Sequence, residues 1–162
     1  MNILSNYSFW DEKEEKCKKI MKIQKEFIPE QFTPTKWNSA EQKAKFCYQF
    51  VSFVQSDFSQ SKFPQWFYQR LSNCFGFIAH CDRLGFYKTY FIDSRKKCNF
   101  INDCMTYPCC GDVGYTYSDA EKILKVWLSE NQIELKVLNQ AKLETEKYER
   151  AELNRLKLKY EQ

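Results

Sequence analysis

Cys98, Cys104, Cys109 and Cys110 fall within the thirteen residues C-N-F-I-N-D-C-M-T-Y-P-C-C, and Cys74, His80 and Cys81 lie just upstream. These are the residues whose types could support metal or thiol chemistry. A structural zinc site usually sets two ligands on one tight turn, as in C-x2-C, so that both sulfurs face a single ion. Here the gaps are Cys74-x6-Cys81, Cys98-x5-Cys104 and Cys104-x4-Cys109, and none is that knuckle. If 95–105 is helical, Cys98 and Cys104 point about 120° apart, and Cys98 joins Ile101 and Met105 on an apolar stripe. Buried thiols acting as small hydrophobes account for this pattern, and the sulfurs are expected not to converge. The fallback is a metal set of Cys104, Cys109 and Cys110 with one upstream ligand. A disulfide between the adjacent Cys109 and Cys110 would need a strained ring.

A cysteine nucleophile needs a base within reach, and His80 is the one histidine in the chain. On a helix carrying Phe67, Leu71, Cys74 and Ile78 as its core stripe, His80 falls on the opposite, polar face, and Cys81 sits about 100° round from it. Phosphate loops, dinucleotide fingerprints, H-E-x-x-H and G-x-S-x-G are missing from the sequence. Asp103, Asp112 and Asp119 are carboxylates without an evident common cleft. Asp112 in G-D-V-G suits a turn and Asp119 the first turn of a helix. The expectation is therefore a protein without enzymatic activity and without a cofactor, with a zinc- or thiol-dependent enzyme as the remote alternative.

The elements that would carry these residues follow from composition and period. The chain has 162 residues, 17% aromatic, 28% charged and 43% apolar, enough for one well-buried core. Only four Gly and four Pro stand against an all-β fold. Net charge +4 with pI near 8.5 is mildly basic, below what by itself marks a nucleic-acid binder. The opening M-N-I-L-S-N-Y-S-F-W has neither a basic region nor a long apolar run, and no stretch approaches the length of a membrane span. The expectation is a cytoplasmic protein with no membrane contact.

Residues 9–28 read as a first helix whose Glu12–Lys16, Glu14–Lys18 and Glu15–Lys19 pairs mark a solvated face. Ser39-Ala-Glu-Gln42 is a capping box that opens a helix to about 58. Its two apolar stripes, Ala40/Ala44/Cys47/Val51/Val54 and Phe46/Phe50/Phe53, make it the expected central helix. A third helix starts at Pro64 and stops at Gly85. The β-formers of G-F-Y-K-T-Y-F-I-D suggest a small β-hairpin near 86–92. Ser94 is the expected cap of a helix over 95–105, and Ser118-Asp-Ala-Glu121 the expected capping box of the next. Ser129-Glu-Asn-Gln132 marks a break. From 133 to 160 the thin spacing of Leu135, Leu138, Ala141, Tyr148 and Leu156 predicts a long charged helix, partly projecting. The predicted fold is mainly α, a compact helical domain over 1–130 followed by a C-terminal helix over 131–162.

Two binding readings remain. Basic side chains interleaved with aromatics, namely Trp66, Arg70, Arg83, Tyr87, Lys88, Arg95, Lys96 and Lys97, suit phosphate contact and base stacking on RNA or single-stranded DNA. Exposed aromatics such as Tyr115, together with Tyr148 on the final helix, suit a protein partner. The favoured expectation is a small protein that binds and modulates another protein or nucleoprotein complex. It would act as an inhibitor or accessory subunit of a nucleic-acid-processing complex, of the type carried by phages and mobile elements. Direct RNA or single-stranded DNA binding is the alternative.

Overall fold

A computed structural model describes residues 27–78, 82–107, 109 and 111–161. The expected first helix therefore lies, apart from Phe27 and Ile28, outside the described residues, as do His80, Cys81 and Cys110. Among the described residues six α-helices follow one another: α1 (Ala40–Gln55), α2 (Gln65–Cys74), α3 (Arg83–Tyr90), α4 (Ser94–Thr106), α5 (Ser118–Glu130) and α6 (Ile133–Tyr160). No described residue is in a strand, and no described helix is long and apolar enough to cross a membrane.

The capping box at Ser39 forms as expected: its hydroxyl accepts from Gln42 N at 3.3 Å while Gln42 Oε1 accepts from Ser39 N at 2.8 Å. α1 is buried along both apolar stripes and runs through the centre of the core. Phe53 of α1 packs into an aromatic cluster, with ring centroids 4.9 Å from Phe91, 5.1 Å from Phe63 and 5.3 Å from Phe58. Burying each such ring contributes about 1.5–3 kcal/mol, and edge-to-face pairing adds about 0.5–1.5 kcal/mol. This aromatic packing holds Asp57 and Phe58 at φ of 55° and 58°, a left-handed conformation that L-residues otherwise avoid.

The hairpin near 86–92 does not form; residues 86–90 belong to the helix α3, and Phe91 is its C-cap. Asp82 caps it by accepting from Gly85 N at 2.8 Å, and a Cβ at Gly85 would collide with that carboxylate. Gly85 thus belongs to the start of α3 and does not stop the preceding helix, which already ends at Cys74. Helical spacing brings Phe86 and Tyr90 to 5.0 Å and Tyr87 and Phe91 to 5.4 Å, so one aromatic-rich side covers the core. Burial and capping override the β preference of these residues.

Other polar residues were also reassigned by packing. Asp93 caps α4 through Lys96 N at 2.9 Å, and Ser94 is buried beneath it. Ser118 makes no side-chain cap on α5; it is buried, and the two acids that follow reach across the fold. The break before α6 is made by Gln132, which takes φ 52° and ψ 39°.

α6 lies antiparallel to α4 for its first three turns or so. Ser94, at the start of α4, donates its hydroxyl to Glu144 Oε1 at 2.7 Å and its amide to Oε2 at 3.3 Å. Those bonds hold the Glu144 carboxyl below the usual carboxylate range. With 28 residues α6 is about 42 Å long, against about 20 Å for α4. Residues 147–160 therefore extend past the end of α4.

Candidate functional site

Cys47 of α1, Cys74 of α2 and Cys104 of α4 are buried free thiols. Burial pushes all three pKa values up, and Cys74 also feels Cys47, Cys104, Glu121 and Cys109. These three sulfurs come from separate helices, and each is buried in the core as a small hydrophobic group would be. Among the described residues no three Cys, His, Asp or Glu side chains are arranged to hold a metal ion. Cys109, from the fallback metal set, is half-buried, and its amide donates to Glu121 Oε2 at 2.9 Å. Glu121 also takes Lys125 Nζ at 2.6 Å, so its buried carboxylate is engaged by partners of its own. Cys98 is half-buried and faces the groove between α4 and α6.

A buried ion pair lies nearby. Lys43 is fully buried, and its ammonium donates to Asp119 Oδ1 at 2.9 Å, Asp119 Oδ2 at 3.1 Å and the Val113 carbonyl at 3.0 Å. Asp119 also accepts from Thr33 N at 2.9 Å. All three ammonium protons are used, so the pair clamps α1, α5 and two loops together and offers no donor to a substrate.

The basic and aromatic candidates separate into groups. Arg83 donates to the Phe63 carbonyl at 2.9 Å, and Tyr87 donates its hydroxyl to the Phe58 carbonyl at 2.7 Å. Lys97 pairs with Asp57 at 3.0 Å and lies over the Phe58 ring. These three support the loops around the aromatic core. Lys88 and Arg95 are exposed; half-buried Lys96 reaches the Lys88 carbonyl at 3.5 Å, and Arg95 lines the α4–α6 groove. Tyr115 is exposed and packs edge-on against exposed Trp37 at 5.8 Å. Tyr148 is 72% exposed on the projecting part of α6.

Trp66 and Arg70 share one side of α2 and meet Gln42 and Lys45 of α1 in a cleft of about 170 Å³. Lys45 Nζ sits 5.0 Å from the centre of the Trp66 ring. Sequence reading missed Gln42 and Lys45 as members of this cleft, since Gln42 was accounted for by the capping box. The signal that could have found them is their i,i+3 spacing on a helix whose neighbour carries Trp66 and Arg70 at i,i+4. Trp37 was likewise missed, because its partner Tyr115 is far away in sequence.

A further cleft, of about 580 Å³, lies at the root of α6 and is lined by Phe58, Ser94, Trp127 and Val137 among others. Farther along α6, Leu153, Leu156, Leu158 and Tyr160 are exposed. No protein-family model matches this chain, and no curated protein or solved structure matches it at a significant level.

Proposed function

We propose that the protein is a non-enzymatic binding module that modulates another macromolecule, with α6 as its principal contact element. The observation that carries this reading is the exposure of Tyr148, Leu153, Leu156, Leu158 and Tyr160 on the extended half of a helix whose first half is anchored to α4. A helix held at its root and bare beyond it is suited to lie in a partner's groove. Large apolar side chains on such an extension gain little from solvent exposure and much from burial against a second surface. The exposed Trp37–Tyr115 pair supplies aromatic contact area of the type that anchors protein interfaces. The expected partner is a protein or nucleoprotein complex, with the role of inhibitor or accessory subunit of a nucleic-acid-processing complex. Direct binding of RNA or single-stranded DNA is the second reading, favoured by the Trp66–Arg70–Lys45 cleft.

Affinity capture with the full chain and with a chain ending at residue 146 tests the first reading, each with and without nuclease. Both chains should melt at nearly the same temperature, since residues 147–160 leave the core and the Ser94–Glu144 anchor untouched. The full chain should retain a partner that survives nuclease, and the shortened chain should lose it. Equal retention by both chains would move the contact elsewhere on the molecule.

A further inference from the structure

The cleft between α1 and α2 has a chemistry of its own, independent of α6. Every charged or polar side chain that lines it, Gln42, Lys45 and Arg70, is a donor toward it, and no carboxylate is among the lining residues. Two of the three donors are placed by a local interaction. Gln42 has its Oε1 committed to Ser39 N, which leaves the amide nitrogen as its available group. Lys45 rests over the Trp66 ring. Arg70 is half-buried and makes no hydrogen bond or ion pair with any described residue. Its charge reaches inward to the buried Tyr117 hydroxyl, which also lacks a hydrogen-bond partner.

Two cations held close together without a counter-ion repel each other, and an anion between them removes that cost. The guanidinium presents paired N–H groups suited to two oxygens of a tetrahedral oxyanion, the ammonium adds a point charge and the amide a third direction. A cleft of about 170 Å³ accepts a phosphate group and not a whole nucleotide. The ligand's remaining atoms would therefore extend outward along the half-buried indole of Trp66, a surface on which a nucleobase can stack. We infer that Gln42, Lys45, Trp66 and Arg70 form a binding site for the phosphate group of a nucleotide, free or within a single-stranded nucleic acid.

The test follows the side-chain N–H signals of Trp66 and Arg70 by nuclear magnetic resonance in the full nitrogen-labelled chain. Inorganic phosphate, adenosine monophosphate and a short oligothymidylate are titrated separately against sodium chloride at equal ionic strength. Both signals should move saturably. Arg70→Gln should weaken binding by about tenfold or more, the loss of a charge-assisted hydrogen-bonded contact. Lys45→Gln, at an exposed position where folding is not at risk, should weaken it several-fold, and Lys122→Gln on α5 should leave it unchanged. Saturation at much lower concentration by oligothymidylate than by the mononucleotide assigns the site to a nucleic-acid backbone, and comparable saturation by both assigns it to a free nucleotide. If none of the three ligands moves these signals beyond the chloride control, or if Lys45→Gln and Arg70→Gln bind as tightly as the parent, the inference is overturned. The shortened chain ending at 146 should bind the same ligands, which separates failure here from failure of the α6 reading.

Discussion

Asp119→Ala should be among the most damaging polar substitutions in this protein. The Lys43 ammonium has 0% side-chain exposure and donates to both Asp119 oxygens and one carbonyl. Removing the carboxylate leaves a buried charge with only the Val113 carbonyl and the face of the Tyr117 ring, 5.4 Å away, and no counter-ion, a loss that costs about 3–5 kcal/mol. A domain of this size has a total stability of about 5–15 kcal/mol, so the variant should sit close to unfolding. Lys43→Met is the informative contrast. It removes the charge and fills most of the same channel, while Asp119 stays 15% exposed and keeps its bonds from Thr33 N and Ala120 N. The cost should be about 1–2 kcal/mol, chiefly the lost donor to Val113 O. The double variant should be more stable than Asp119→Ala alone, because the second change removes the stranded ammonium, with a coupling energy of about 1–3 kcal/mol. Urea unfolding followed by tryptophan fluorescence measures all four proteins, with equal denaturant slopes as the check that one transition is being compared. An Asp119→Ala loss below about 1 kcal/mol, or a double variant no more stable than Asp119→Ala, would refute the argument that the ammonium depends on this carboxylate.

Alkaline pH should destabilise the fold through its thiols. Cys47, Cys74 and Cys104 stay neutral when folded, because burial raises them above their ordinary value of 9.0, whereas the unfolded chain ionises near that value. Above pH 9 the folded state holds protons that the unfolded state has released, so stability falls as pH rises, by about 1.4 kcal/mol per unit for each thiol. Tyr117, pushed up to about 12, adds to the slope above its ordinary 10.0. Cys74→Ala should make the decline shallower, and a flat unfolding free energy between pH 8 and 10 would contradict the burial. At the α5–α6 break, Gln132→Gly should stabilise by about 0.5–1 kcal/mol, the relief of a left-handed L-residue less the entropy of glycine; a loss of stability on urea unfolding would show that the side chain is needed there.

The amino-acid sequence alone determined those features whose cause lies within three or four residues. The Ser39–Gln42 box, the two apolar stripes of α1 and the long final helix over Ile133–Tyr160 all depend on helical spacing along one segment. The tertiary structure decided where polar side chains spend their hydrogen bonds, because their partners are distant in the chain. Ser94 is separated from Glu144 by 50 residues, Lys43 from Asp119 by 76 and Thr33 from Asp119 by 86. A serine or aspartate that reads as a helix cap is equally able to bond across the fold, and only the packing of its helix selects between the two. The same holds for 86–90, where β-forming aromatics become helical because Asp82 caps the helix and the core takes their rings. It holds as well for Lys45 and Arg70, whose shared cleft exists only because α1 and α2 pack side by side.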